Sequence, residues 1–196
     1  MTNRFVRLKP DATRNDKSMD KIKINKTLLE LVRGDITTQD TEAIVNAANT
    51  RLIPGGGVDG AIHRKAGPLL RKETSEIGGC PTGEARITKG YNLPAKYVIH
   101  TVGPVYSGRE KDAVLLASAY TNSLKLADAY KIKSISFPSI STGVYGYPIE
   151  EASKIALTAI TSYLKKETGI QLVRIILFSE KDYSVYEKLV SDGIEI

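Results

Sequence analysis

The sequence lacks the cysteines that would let disulfides or a structural zinc ion stabilise the fold. Of its 196 residues, one is a cysteine, Cys80, and none is a tryptophan. A single cysteine cannot form a disulfide within the chain, and it excludes the paired-cysteine clips that bind structural zinc. No stretch approaches the roughly 18 consecutive apolar residues of a transmembrane helix, and the first residues lack the apolar segment of a secretory signal. We therefore expect a cytoplasmic protein with no membrane partner.

The net charge is +6, but most of the chain has nearly equal numbers of basic and acidic side chains. Residues 1–26 carry eight lysines and arginines against three aspartates, whereas residues 27–196 carry twenty basic and nineteen acidic side chains. The excess therefore belongs to a basic N-terminal leader, which is typical of a solvated tail. A nucleic-acid arm is the alternative interpretation, and Met19 leaves open a later start that would remove residues 1–18.

The length and composition suit one α/β domain at residues 21–196, after a leader of residues 1–20. Strands are predicted at 22–25, 28–33, 43–47, 84–89, 97–102, 134–137 and 173–178, and helices at 58–77 with a break near 67–68, at 112–130, at 149–166 and around 183–189. Strands that are apolar throughout are buried on both faces, so we expect a mixed, mostly parallel sheet between two helical layers. No exposed apolar helix face stands out, and we expect a monomer.

Two polar segments lie at predicted strand ends, the place where ligands bind to such sheets. In residues 34–37, Asp35 can either cap a short helix or accept a hydrogen bond from an exocyclic amine. In residues 45–49, Asn49 offers donors and an acceptor that suit a sugar diol, although asparagine is also a common turn former.

Two further segments are rich in glycine. Residues 55–57 are three glycines ahead of a helix whose free N–H groups favour an anionic ligand, but neither a P-loop nor a dinucleotide fingerprint is present. Asp59 lies in the first turn of that helix, where the helix dipole also favours a carboxylate. His63 follows on the same face and could pair with Asp59 or pack. Residues 139–148 are typical of a backbone nest for phosphate, and Tyr145 among them could cover a ribose or pack in a loop.

In this order, and with His-Thr-Val-Gly-Pro at 100–104, these segments resemble the signature of the macrodomain family. The resemblance runs from about Lys21 to the C-terminus and implies a three-layer α/β/α macrodomain fold. Asn49, the glycine run and Val58-Asp59-Gly60 are similar to the MacroD-type branch, the O-acetyl-ADP-ribose deacetylases and mono-ADP-ribosyl hydrolases. Members that only bind often lack the acid, so Asp59 is the residue that separates the two interpretations.

The resemblance also implies a set of ligand contacts. It places the adenine amine at Asp35, with the Ile36 backbone nearby and the Phe178 ring on the base. Asn49 would bind the distal ribose, which Tyr145 would cover. The pyrophosphate would lie between two groups of backbone N–H donors, those of Gly57 and Val58 and those of Ser141, Thr142, Gly143, Val144 and Tyr145.

The implied reaction is hydrolysis of an ester on the distal ribose, either an acetyl group or an Asp or Glu side chain of a modified protein. Asn49, Asp59 and His63 would be the catalytic residues. Asp59 would position or deprotonate the attacking water, His63 could orient Asp59, and loop N–H groups would stabilise developing charge. No cofactor is implied, and no metal is expected because the two histidines lack ligand spacing.

Two other functions remain open at this point. A non-catalytic reader would use the same pocket to recruit the protein to ADP-ribosylated targets, and its Asp59 would have no chemical role. A nucleic-acid binder would depend on the basic leader, and its affinity would fall steeply with salt. The expected partners of the hydrolase are ADP-ribose, O-acetyl-ADP-ribose or a mono-ADP-ribosylated protein.

Overall fold

The elements of the fold follow the predicted alternation of strands and helices. The computed structural model describes residues 6–8 and 21–192. The strands are β1 (Val6–Leu8), β2 (Lys21–Ile24), β3 (Thr27–Arg33), β4 (Ala43–Ala47), β5 (Ala85–Lys89), β6 (Tyr97–Thr101), β7 (Ser134–Pro138) and β8 (Leu172–Leu177). The helices are α1 (Gly57–Ala66), α2 (Pro68–Ile77), α3 (Glu110–Ala129), α4 (Ile149–Leu164) and α5 (Glu180–Ser191). The break predicted near 67–68 separates α1 from α2, where Gly67 has a φ of 87° and Pro68 begins the second helix.

The eight strands form one mixed sheet in the order β1-β2-β3-β8-β7-β4-β6-β5. Neighbours from β3 through β8, β7 and β4 to β6 are parallel. Antiparallel pairs occur at the two ends, where β1 and β2 precede β3 and where β5 follows β6. The predicted mixed, mostly parallel sheet is confirmed, and its five parallel strands have their carboxyl ends along one edge.

One part of the leader differs from the prediction of a solvated tail. Val6–Leu8 pairs antiparallel with β2 and forms the first strand of the sheet, so the prediction is wrong for these three residues. The outer edge of β2 carries N–H and C=O groups that a neighbouring extended segment can satisfy. Three residues are too short a run to predict a strand without knowing its partner. The rest of the leader, residues 1–5 and 9–20, lies outside the described residues.

Helices cover both faces of the sheet. The first core lies between the sheet and α3, α4 and α5, and it buries Val45 and Phe137. The second core lies between the sheet and α1 and α2, and it buries Ile44 and Val98. Since successive side chains of a strand point to opposite faces, Ile44 and Val45 enter different cores. Among the helices of the described residues, none is long and apolar enough to cross a membrane.

A buried tyrosine connects the helix layer to the loop after β7. Tyr120 of α3 is fully buried, with its ring centroid 5.4 Å from that of Phe137. The Tyr120 hydroxyl oxygen accepts a hydrogen bond from the backbone N–H of Ile140 at 3.1 Å. Because Ile140 lies near the start of the loop, α3 fixes the base of a segment that the sequence assigned to phosphate binding.

Removing this hydroxyl tests the connection. Tyr120→Phe should lower the free energy of unfolding by about 1–3 kcal/mol, because the buried Ile140 N–H would lose its acceptor. Urea denaturation followed by circular dichroism measures the change. Tyr130→Phe is the control, since Tyr130 is 51% exposed, and it should change the free energy by less than about 0.5 kcal/mol. Equal effects of the two substitutions would contradict this role of Tyr120.

Candidate active site

Five loops meet where the parallel strands end. They follow β3, β4, β6, β7 and β8, and the loop after β4 leads directly into α1. These loops and α1 contain every residue predicted to bind or act, namely Asp35, Ile36, Asn49, Gly57, Val58, Asp59, His63, Ser141, Thr142, Gly143, Val144, Tyr145 and Phe178. The two glycine-rich segments therefore lie at the same edge of the sheet.

Asp35 caps a short turn and still presents an oxygen to solvent. It precedes the 3-10 turn Ile36–Thr38, and one of its carboxylate oxygens accepts the Thr37 N–H at 2.8 Å. This is the capping role that the sequence allowed as one alternative. Among the described residues, its second oxygen has no donor, and the side chain is exposed. The Ile36 side chain is buried, so its backbone is the part available to a ligand.

Phe178 lies beside Asp35 at the same edge. It follows β8, and the neighbouring strand is connected to it by a hydrogen bond from the Gly34 N–H to the Leu177 carbonyl at 3.0 Å. The Phe178 ring is 86% exposed. A large, exposed apolar ring at the same edge of the sheet as an available carboxylate oxygen is suited to stack on a planar base whose amine reaches that oxygen.

Asn49 holds its own loop. Its side-chain Nδ2 donates to the Ile53 carbonyl at 2.6 Å, and its Oδ1 accepts the N–H groups of Arg51 and Ile53 at 3.2 and 3.3 Å. The turn-forming role that the sequence left open is therefore present. One of the two amide hydrogens remains for a ligand, so the geometry is compatible with the predicted contact to a ribose hydroxyl.

Asp59 is a buried carboxylate that closes the glycine loop onto α1. The residue is 4% exposed. Its Oδ1 accepts from Asn46 Nδ2 at 2.6 Å, and its Oδ2 accepts the Gly55 N–H at 2.5 Å. A Cβ at Gly60 would come within 2.6 Å of the Gly55 carbonyl oxygen, so a side chain there would push the loop away. The three glycines thus lie where the first turn of α1 presents its N–H groups.

His63 packs beside Asp59 without a hydrogen bond to it. Its Nε2 lies 3.6 Å from Asp59 Oδ1, and the residue is 7% exposed. In the described part of the chain, neither ring nitrogen has a hydrogen bond partner. Burial lowers the pKa of His63, Asp59 raises it and Arg71 lowers it, and the net direction is down. The hydrogen bonds that orient Asp59 therefore come from Asn46 and from the Gly55 N–H, and His63 is a neutral neighbour.

A group of buried polar residues that was not predicted from the sequence lies behind Asp59. Asn46 on β4 and His100 on β6 are opposite each other in the parallel register, and both are fully buried. Asn46 Nδ2 lies 3.1 Å from His100 Nδ1, and His100 Nε2 lies 2.9 Å from Thr88 Oγ1. Asn46 and His100 each stood in a recognised segment. Their contact could be found only from the order and register of the strands.

The loop after β7 presents backbone donors. Ser141 has a φ of 66°, its carbonyl accepts the Tyr147 N–H at 3.0 Å, and the Gly146 N–H is bonded to the Gly143 carbonyl at 2.9 Å. The N–H groups of residues 142–145 have no acceptor among the described residues. Consecutive free N–H groups in a turn can form a concave site for an anion, so the geometry is compatible with the phosphate nest predicted for this segment.

The neighbouring loop after β6 is attached to this donor loop. The Tyr106 N–H donates to the Tyr145 carbonyl at 2.9 Å, and the Tyr106 and Tyr147 ring centroids are 4.7 Å apart. A Cβ at Gly103 would lie 2.1 Å from Ser141 Oγ, so the two loops approach too closely for any side chain at position 103. Val144 at the tip is 95% exposed.

The fold and these loops define a known family. Residues 45–156, more than half of the chain, match the family described as Macro domain. The chain belongs to this family. The resemblance found from the sequence and the three-layer fold that it implied are confirmed.

Relatives in the family extend over nearly the whole domain. A Macro domain-containing protein of Chlorobaculum tepidum is 55% identical over 170 residues, which cover 86% of this chain and 99% of that protein. The O-acetyl-ADP-ribose deacetylase of Klebsiella pneumoniae is 49% identical over 83% of this chain and 95% of its own. The ADP-ribose glycohydrolase MACROD2 of Xenopus laevis is 48% identical over 94% of this chain, which spans about half (46%) of that protein.

A solved structure with the same fold is the Oceanobacillus iheyensis macrodomain with ADP. Its TM-score is 0.87 at 49% identity, over 91% of this chain and 97% of that one. Structures of the same protein with an asparagine or an aspartate replaced by alanine match with the same TM-score. A glycine-to-valine variant of it is described with ADP-ribose.

The buried histidines make stability depend on pH. Burial lowers the pKa of His100 to about 3, whereas an unfolded histidine titrates near 6.5. Between these values the unfolded chain binds a proton that the folded chain does not. The contribution of neutral His100 to the free energy of unfolding is therefore fully present above about pH 6.5. Each pH unit below that value should lower the free energy of unfolding by about 1.4 kcal/mol.

Urea denaturation at several pH values between about 7.5 and 5 measures this slope. His100→Asn is the comparison, because it removes the titrating ring and leaves His63 in place. The variant should lose less stability than the wild type over the same range. Identical slopes would show that His100 is not buried in its neutral form.

Proposed function

We propose that this chain binds ADP-ribose at the carboxyl edge of its sheet and hydrolyses an ester on the distal ribose. The observation that carries the proposal is the buried Asp59 carboxylate, which lies at the start of α1 between a glycine loop and the polar side chain of Asn46. A capping carboxylate needs neither burial nor a dedicated amide donor. Both are expected of a carboxylate whose direction matters for a reaction.

The binding half of the proposal follows the order of the loops. Asp35 and Phe178 would take the adenine, with the amine on the free carboxylate oxygen. The N-terminus of α1 and the free N–H groups of 142–145 would hold the diphosphate from two sides. The distal ribose would then lie near Asn49 and under Tyr145. The solved macrodomains with ADP and with ADP-ribose support this class of ligand for the site.

The hydrolytic half is supported by the named activities of the relatives, a deacetylase and a glycohydrolase. The asparagine and the aspartate that were replaced in the Oceanobacillus iheyensis protein lie ten residues apart. Asn49 and Asp59 have the same separation. The spacing indicates that these two positions correspond to residues already singled out in a solved relative.

In the proposed reaction, water attacks the carbonyl carbon of the ester. The bond between that carbon and the ribose oxygen breaks, and a proton passes to the ribose oxygen, which leaves a free hydroxyl and a carboxylic acid. Each oxygen of Asp59 accepts one hydrogen bond from the protein and can accept another from the attacking water. Asp59 would therefore orient the water, and loop N–H groups would stabilise the negative charge that develops on the carbonyl oxygen.

A non-catalytic reader is the second candidate. The observation that favours it is that both oxygens of Asp59 are already occupied by structural hydrogen bonds, one of which holds the glycine loop. Under this alternative, Asp59 would shape the binding loop and would have no part in chemistry. Turnover separates the two functions, because a reader binds ADP-ribose without releasing product.

Asp59→Ala tests the chemistry. It should abolish release of ADP-ribose from a glutamate-linked substrate and deacetylation of O-acetyl-ADP-ribose, because the water loses its acceptor. The affinity for ADP-ribose, measured by calorimetric titration, should stay within about fivefold, which is about 1 kcal/mol, because the N–H groups of residues 142–145 remain even though the Gly55 N–H loses its acceptor. Full activity of Asp59→Ala would refute the mechanism, and wild-type binding without turnover would make the protein a reader.

Asp35→Ala is the complementary change at the other end of the site. It should weaken ADP-ribose binding by about 1–3 kcal/mol, because the adenine amine loses a charged acceptor. The rate constant of the bound ester should change little, since Asp35 follows β3 and Asp59 follows β4 on different loops. Calorimetry and single-turnover rates measure the two effects. Loss of rate with unchanged affinity would reverse the assigned ends of the ligand.

A further inference from the structure

A chain of buried hydrogen bonds runs from Asp59 across the sheet to its far edge. Asp59 Oδ1 accepts from Asn46 Nδ2 at 2.6 Å, the same nitrogen lies 3.1 Å from His100 Nδ1, and His100 Nε2 lies 2.9 Å from Thr88 Oγ1. Asn46 and His100 have no exposed surface, and Thr88 is 2% exposed. The chain passes from α1 through β4 and β6 to β5, the last strand of the sheet.

In each hydrogen bond of this series, the chemistry of the groups decides which atom donates and which accepts. An ionised carboxylate only accepts, so the Asn46 group that faces Asp59 must be its NH2. The same NH2 faces His100 Nδ1, which must therefore accept. A neutral imidazole that accepts at Nδ1 carries its proton on Nε2 and donates it to Thr88 Oγ1. The Thr88 hydroxyl in turn lies 3.2 Å from the Lys89 carbonyl, to which it donates.

The ring stays neutral at physiological pH. Burial lowers the pKa of His100, and the nearby His63 lowers it further. Its ring centroid is 6.3 Å from that of His63. Protonation of Nδ1 would place two donors face to face, because the Asn46 NH2 already lies there. The arrangement of protons is therefore the same over the whole range in which the protein would act.

We propose that Thr88 and His100 are positioning residues for Asp59, acting through the Asn46 amide. The Thr88 hydroxyl keeps the imidazole proton on Nε2, the Nδ1 lone pair then keeps the Asn46 NH2 turned toward Asp59, and that NH2 fixes the direction of the carboxylate. The inference deepens the proposed hydrolase function and rests on it.

Loss of the Thr88 hydroxyl would displace Asp59 although the two residues are not in contact. The Nε2–H of His100 would be buried without an acceptor, which favours the other tautomer. A proton on Nδ1 would face the Asn46 NH2 and turn the amide over, so that its oxygen would face the Asp59 carboxylate. Two acceptors at 2.6 Å repel each other, and Asp59 would leave its position. Thr88 lies within β5, opposite Val98 of β6, and belongs to none of the five loops.

The test compares three threonine variants by steady-state kinetics on O-acetyl-ADP-ribose. Thr88→Val, which has the same shape without the hydroxyl, should lower kcat by about tenfold or more while KM and the affinity for ADP-ribose change less than about twofold. Thr88→Ser restores the hydroxyl and should recover most of the lost kcat. Thr161→Val is the matched control, because the Thr161 hydroxyl is equally buried but bonds only to carbonyls within α4.

The tautomer provides a readout that does not depend on turnover. Imidazole nitrogen chemical shifts in the wild-type protein should show His100 protonated on Nε2, and a proton on Nδ1 would overturn the proposal even if Thr88→Val failed to fold. Equal kcat for Thr88→Val and Thr88→Ser in an active enzyme would also overturn it. If the wild type binds ADP-ribose without turnover, the hydrolase function fails. The imidazole nitrogen shifts of Thr88→Val then decide whether Thr88 determines the tautomer of His100. Shifts unchanged from the wild type would refute that role of Thr88.

Discussion

The burial of one carboxylate is the constraint on which the rest of this site depends. A charge taken out of water must be surrounded by donors, and Asp59 obtains one from the loop before it and one from the strand beside it. The first donor, the Gly55 N–H, closes the glycine loop over α1. The second, Asn46, belongs to a strand in the middle of the sheet. The loop that would hold a diphosphate and the core of the fold are thus joined at a single side chain.

The two ends of the candidate ligand are held by different means. At the Asp35 end, one exposed oxygen and one exposed ring offer contacts that cost the protein little, because neither belongs to a core. At the Asp59 end, both carboxylate oxygens are held by hydrogen bonds from the protein, one from the buried Asn46 side chain and one from the Gly55 N–H. A surface pair adapts to its ligand, whereas a buried, fully directed carboxylate is preorganised. This division is what a protein needs if it recognises one part of a molecule and acts on another.

Most of the fold, and the position of the candidate residues at one edge of the sheet, could be predicted from the sequence, because they depend on local patterns. Apolar runs gave the strands, glycine and proline gave the break between α1 and α2, and short motifs gave Asp35, Asn49 and Asp59. The residues that were missed depend on strand order. β1 could not be seen without β2 beside it, and the contact between Asn46 and His100 exists only because β4 and β6 are neighbours in one register. Asn49 shows a further limit of prediction from sequence, because an asparagine at this position is compatible both with a ligand contact and with a turn.

The hydrogen bond between Tyr106 and Tyr145 has a mechanical consequence. The backbone of Tyr145 cannot move away from the site without breaking this bond or moving the loop after β6 with it, and the two loops also approach closely at Gly103, where a Cβ would lie 2.1 Å from Ser141 Oγ. The loops after β6 and β7 are therefore connected to each other beside Tyr145, while the glycine loop is bonded to the Asp59 carboxylate. Any displacement of the Tyr145 backbone by a bulky, protein-linked substrate would therefore involve both loops.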